Sequence, residues 1–310
     1  MTSALIGGGF WLATVAWLHP SPLHLRWGTS LLLLSPMVLV PLGLRLVVSA
    51  DSKGIEGRLW KWASMLQLPA ALALLVAFAL PIGWRAAALS LPWLVVTVMI
   101  SLGGLVRASR RGSGPLEELS IDAGLIYLAV GGVWAVLARS GARPLGFDPV
   151  IVLLTAIHFH YAGFLLPLVT GMAGRRLKSG IARIAALAVI AGVPLTAVGI
   201  TTTQLGFSHA VESLAALLTA LAGLLTAWLH FRLAIQKNQP GLVRGLWLVA
   251  ALSLTFSMTL AALYGLRFYL PTAWPDIPWM RALHGTANAF GFGFAGLLAW
   301  GMASGQNGEP

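Results

Sequence analysis

The string IHFHYAGF puts His158, His160 and Tyr161 in the middle of a long apolar run. Imidazole titrates near neutrality and can give or take a proton, and a phenol hydroxyl can donate or accept beside it. Successive helical residues turn by about 100°, so His158 and His160 fall on nearly opposite faces, while His158 and Tyr161, three apart, share one. One helix therefore cannot chelate a single metal ion with both rings. A second string, RALHGTANAFGFGFAG, stacks His284 and Asn288 four residues apart on one face, among Gly285, Gly291, Gly293 and Gly296, which admit a neighbouring helix or a ligand. In a third, QLGFSHAVESLAA, His209 and Glu212 share a face and Gln204 lies just ahead of them. Each group also has a structural reading. Histidine and asparagine bridge helices by hydrogen bonds, and Ser208 is a suitable N-cap with Glu212 near the positive end of the helix it starts.

The chemistry these residues suit is proton transfer in a dry pocket, with His158, His160, Tyr161, His209, Glu212, His284 and Asn288 as the acting groups. Gln204, Trp134, Trp274 and Trp279 are the expected walls of the substrate pocket. Several other chemistries find no foothold. The chain has no cysteine, which excludes disulfides, iron–sulfur clusters, thiolate zinc sites and covalent haem attachment through a CxxCH motif. A nucleotide-binding glycine loop, a serine nucleophile elbow and a DDxxD-like carboxylate set are also missing, which argues against NAD(P), ATP, hydrolase and diphosphate-ionising prenyl chemistry.

The elements that position these groups are set by composition. Of 310 residues, 58% are hydrophobic and 9% charged, against roughly 25% charged in soluble domains, and the mean hydropathy is +0.84. A soluble fold of this size could not hide that much apolar surface. Apolar runs of about 20 residues, each long enough for a hydrocarbon core of about 30 Å, recur at 3–18, 28–49, 62–82, 86–106, 118–138, 149–173, 182–203, 210–231, 245–265 and 281–302. The fold class expected is thus all-α, an integral membrane bundle of about ten transmembrane helices in a single domain spanning 1–310. Nine crossings plus a re-entrant first segment is the alternative, because Gly7-Gly8-Gly9 weakens the first run. That run lacks the basic start and cleavage site of a secretory signal and reads as a retained span.

The net charge of +11 sits in the short connections and reads as a topology signal, not as a nucleic-acid surface. Alternate connections carry fourteen and six basic residues, so the richer set, which includes Arg107, Arg110 and Arg111, is placed in the cytoplasm. Helices six, eight and ten then enter from the other side and could bring His158, Glu212, His209, His284 and Asn288 to one outward-opening pocket, covered by the aromatic segment 267–279. Glu118 and Asp122 read as acids complementing a helix start, Asp148 as a helix start, Arg45 as a snorkelling surface cation, and His230 as a residue of the cytoplasmic interface.

IHFHYAGF, preceded by YLAVGGVWAVLAR and followed by HGTANAFGF, resembles the YndJ-like family of bacterial multi-pass membrane proteins. The resemblance implies a transmembrane fold and draws attention to His158, His160, Tyr161, His284 and Asn288; it does not imply a reaction. Ionisable residues inside spans are costly and mark functional sites, so the residues favour an enzyme performing isomerisation, cyclisation or ring opening on a terpenoid, polyketide or lipid. That reading needs no cofactor and assigns no metal. Its partners are membrane lipids and the lipophilic substrate, and its setting is the bacterial inner membrane. A proton-coupled or lipophilic-solute transporter, with Pro69, Pro92, Pro167 and Pro194 breaking its helices, is the first alternative. A haem or metal redox protein with histidine ligands is the second.

Overall fold

The computed structural model describes residues 2–48, 52–112, 114–271 and 273–306. They form ten helical segments: α1 (Thr2–Leu18), α2 (Leu25–Val47), α3 (Gly54–Ala79), α4 (Trp84–Arg111), α5 (Leu116–Ser140), α6 (Pro149–Leu177), α7 (Gly180–Gln204), α8 (His209–Ala234), α9 (Gly241–Gly265) and α10 (277–306). The eight from α2 to α9 are long and apolar enough to cross a membrane; α1 is shorter. In α10 the polar residues of HGTAN dilute the apolar run. No strand occurs among the described residues, and the all-α membrane bundle read from the sequence is the fold. Ser49, the end of the second predicted span, and Thr272, in the aromatic segment, lie outside the described residues.

Local chemistry sets where helices begin. Asp148, Ser179 and Ser208 each accept from a backbone N–H of the first turn that follows, and Asp276 accepts from Trp279 N at 3.0 Å ahead of α10. Asp148 and Ser208 thus act as the caps the sequence suggested.

The inward face of α8 is made largely of small residues. On α8, Ala215, Ala220, Ala222, Gly223 and Ala227 are buried, whereas Leu214, Leu221 and Trp228 point outward. Lipid tails are as apolar as leucine, so burying leucine yields little in a membrane, and helix association rests instead on close approach and interhelical hydrogen bonds.

Two compact units are present. The first holds α1 to α4, α5 from Asp122 and α6 as far as Leu165; the second holds Pro115–Ile121, the rest of α6, and α7 to α10. In the first unit α1 lies against α2 where Gly7 meets the Met37 carbonyl, an oxygen that Pro41, lacking an N–H, cannot engage four residues on. Arg107 pairs with Asp122 at 2.8 Å, Arg111 pairs with the same carboxylate, and Arg110 pairs with Glu56 at 3.0 Å. Arg139 is buried and donates to Ala77 O at 3.1 Å and Leu80 O at 2.6 Å, closing the end of α3. In the second unit Thr170 meets Thr226, and Thr196 meets Thr219, each at 2.7 Å, and Ser213 donates to Gly265 O at 2.6 Å. Arg175 grips Glu118 through two bonds. Glu118 and Asp122, read from sequence as acids at a helix start, are therefore ion-pair partners as well.

Among the described residues four stretches widen from α to π winding: Ser35–Leu39 in α2, Phe159–Leu165 in α6, and Met280–Gly285 and Ala287–Phe294 in α10. π turns are rare and cluster at functional sites. Three of the four coincide with the strings IHFHYAGF and HGTANAFGF.

Candidate functional site

Three histidines are built to one pattern. In the first unit His160 is fully buried, with Nδ1 2.8 Å from Ala156 O. A carbonyl only accepts, so Nδ1 carries the hydrogen and Nε2 holds the lone pair. The Trp93 indole N–H fills that lone pair at 3.0 Å, its ring stacked at a centroid distance of 5.9 Å. Gly131 makes room for the imidazole, since a Cβ there would stand 2.7 Å from Nδ1. The AVGGVW and HFHYAGF strings therefore pack on each other. The Tyr161 hydroxyl donates to Leu31 O at 2.7 Å and ties α6 to α2 beside the widened Ser35–Leu39 stretch.

In the second unit His230 repeats the arrangement. It is fully buried, anchors Nδ1 on Thr226 O at 2.9 Å, and receives the Trp300 indole at 3.2 Å on Nε2. The sequence placed this histidine at an interface. It is a buried core residue, and its partner lies 70 positions away, beyond the reach of helical spacing.

His284 has the same anchored tautomer and a different cap. Its Nδ1 donates to Ser257 O of α9 at 2.8 Å, and its Nε2 accepts from Asn288 Nδ2 at 3.1 Å. Because Nε2 can only accept, it turns the amide nitrogen toward itself, and Asn288 Oδ1 lies 2.8 Å from the Ser257 hydroxyl, which donates to it. Ser257 is fully buried, and His284 as a residue is half-buried. The four-residue spacing of His284 and Asn288 brings them together as expected, on a helix that is widened around them.

His209 and Glu212 belong to a separate cluster of the second unit. Glu212 is buried and pairs with Arg267 at 2.5 Å; the guanidinium lies over the Tyr264 and Phe268 rings, and His209 stacks on Phe268 at 3.9 Å. Arg267, counted from sequence only as a topology charge, is thus the partner of the acid. His158 is half-buried at the end of the α-wound part of α6, its ring edge-on to Phe159. Trp134 packs edge-on against Phe147 at 6.2 Å. Gln204, Trp274 and Trp279 are exposed, at the end of α7, before α10 and in the first turn of α10 respectively.

The profile of the YndJ-like protein family matches residues 30–292, most of the chain. The chain belongs to the YndJ-like family. A relative in Bacillus subtilis (strain 168), named "Uncharacterized membrane protein YndJ", is 32% identical over 218 residues. That match takes in 68% of this chain and 38% of the relative, so this YndJ-like chain accounts for only part of the relative's length. No solved structure matches it.

Chemically, the arrangement separates the histidines. A ring nitrogen that accepts from an indole N–H has no lone pair left for a metal or for a substrate proton, and this holds for His160 and His230. His284 is held by the same kind of anchor, but its basic nitrogen accepts from a side-chain amide and not from an indole.

Proposed function

We propose that this YndJ-like membrane protein is an intramembrane enzyme that moves a proton on a lipophilic small molecule, with His284 as the proton-transferring group and Asn288 and Ser257 as its positioning residues. The observation that supports the reading is the contrast among three anchored histidines. His160 and His230 are capped by tryptophan and fully buried, while His284 is capped by the Asn288 amide and is half-buried as a residue.

The Ser257 carbonyl holds the hydrogen on Nδ1 and steadies the imidazolium that forms once Nε2 takes a proton. The proton leaves a substrate carbon or hydroxyl for Nε2 and returns at another atom of the same molecule. Isomerisation, cyclisation or ring opening of a terpenoid, polyketide or lipid closes on this balance without an external reagent. The dry apolar surround strengthens the interaction of the imidazolium with its carbonyl.

The test is solvent isotope incorporation. Proteoliposomes carrying the purified protein and a lipophilic extract are incubated in D2O, and the extract is read by mass spectrometry. One or more compounds gain deuterium with the wild type, and H284Q lowers the rate by about 10²- to 10⁴-fold, the usual cost of losing one proton-transferring group. Equal labelling with H284Q, or no labelled compound at all, overturns the reading. A compound carried unchanged across the vesicle membrane, with no product found, replaces it with transport.

A further inference from the structure

The first unit contains a cavity of about 340 Å³, lined by Ser3 and Ala4 of α1, Pro41, Leu44, Arg45 and Val48 at the end of α2, and Ser64 and Gln67 of α3. It adjoins the widened Ser35–Leu39 stretch, and none of its residues enters the proton-transfer site. Its two polar ends differ. At the mouth Arg45 is exposed and makes no ion pair among the described residues. At the floor Gln67 is 2% exposed and donates Nε2 to Pro36 O. That bond fixes the amide, because a carbonyl cannot donate, and leaves Gln67 Oε1 buried with no hydrogen-bond partner.

A buried acceptor without a donor is uncommon in a folded protein and asks for a partner. Between the two ends the wall is apolar, from Ala4, Leu44, Val48 and the Pro41 ring, with the Ser3 and Ser64 hydroxyls on opposite helices. The guanidinium presents paired N–H donors in the geometry a phosphate accepts. A ligand that fits has an anionic phosphate for Arg45, a hydroxyl or ammonium donor a few atoms away for Gln67, and carbon atoms between them.

We propose that this cavity binds a phosphate ester bearing a hydrogen-bond donor, the chemistry of a glycerophosphate, with Arg45 holding the phosphate and Gln67 Oε1 accepting from the donor. Two sources offer this chemistry, an anionic phospholipid headgroup and a free phosphate ester. The Gln67 carboxamide shifts slightly to expose Oε1 when the ligand reaches the floor.

The experiment uses the full chain. For the lipid source, detergent-solubilised protein is equilibrated with equal phosphatidylglycerol and phosphatidylcholine, and retained lipid is counted by native mass spectrometry. For the soluble source, glycerol 3-phosphate is titrated into protein in phosphatidylcholine nanodiscs and binding is read by calorimetry. Phosphatidylglycerol is expected to be retained in preference to phosphatidylcholine, and R45Q and Q67L each weaken retention about tenfold or more, the loss of one charge-assisted or buried hydrogen bond. Arg58→Gln, a basic residue outside the cavity, leaves retention unchanged. Binding of glycerol 3-phosphate, lost in R45Q, with no lipid preference upholds the site and assigns it to the soluble ester. Arg45 is exposed, so R45Q carries no folding penalty even if Q67L does. Equal retention of the two lipids together with no binding of glycerol 3-phosphate overturns the proposal, as does wild-type binding by R45Q.

Discussion

The tryptophan caps separate a structural histidine from a reacting one, and W93F tests the assignment directly. Phenylalanine keeps most of the ring stacked on His160 and removes only the indole N–H that sits 3.0 Å from Nε2. An interhelical hydrogen bond in a membrane contributes about 0.6 to 2 kcal/mol. The lone pair left behind is fully buried and loses its only donor, which adds about 1–3 kcal/mol. Their sum puts W93F at roughly 1.6–5 kcal/mol of destabilisation. The assay is equilibrium unfolding in mixed micelles by increasing SDS, followed by tryptophan fluorescence. In the cycle with H160F, removing both partners recovers part of the loss, giving a coupling of about 1–2 kcal/mol. Additive losses, or a W93F cost under about 0.5 kcal/mol, would refute the bond as a source of stability. A folded H160Q protein that has lost all deuterium labelling would refute the division of labour itself, because it would make His160 a reacting group.

Other consequences follow from the same geometry. Gly131→Ala drives a Cβ into the His160 ring and should cost about 1–3 kcal/mol in the same unfolding assay, while Gly9→Ala, where nothing lies within 4 Å, should be neutral or slightly stabilising. Glu212→Gln leaves Arg267 without its carboxylate, and a loss of about 2–3 kcal/mol is expected, with E212Q/R267Q costing less than the sum of the single variants. Reporter fusions at Gly112, in the connection that follows Arg107, Arg110 and Arg111, should score cytoplasmic; periplasmic activity there reverses the orientation assigned from basic residues.

Hydropathy made most of the fold legible. The run 182–203 lies within α7 at Gly180–Gln204, 210–231 within α8 at His209–Ala234, and 3–18 within α1 at Thr2–Leu18. Helix ends were readable wherever a capping side chain stood in the sequence, as at Asp148 and Ser208. The π stretches were not, because widening changes which residues share a face without changing composition. The 100° per residue used to group His158 with Tyr161 is an α-helical value, and the winding departs from it in Phe159–Leu165, where Tyr161 is buried with its hydroxyl on Leu31 O.

The candidate site was legible only where its members were near in sequence. His284 and Asn288 were visible as an i, i+4 pair. Ser257, Trp93 and Trp300 were not, since a serine or tryptophan in an apolar run is unremarkable until another helix is laid against it. Arg267 was masked by its value as a topology signal, and His230 by its place near a helix end.

Each widened stretch also changes what a gain or loss of one residue does to this protein. A π turn closes its hydrogen bonds one residue further along than an α turn, so deleting a residue within Phe159–Leu165 can be absorbed by rewinding to α. The same deletion in the regular part of α7 would rotate everything beyond it by about 100° and turn lipid-facing leucines inward. The widened stretches are therefore where length variation is tolerated, and where it has chemical effect. Rewinding near His284 would re-aim the imidazole away from the Ser257 carbonyl while leaving the rest of α10 in register. Single-residue insertions and deletions scanned along α6 and α10 should accordingly yield folded proteins at these positions and misfolded ones elsewhere.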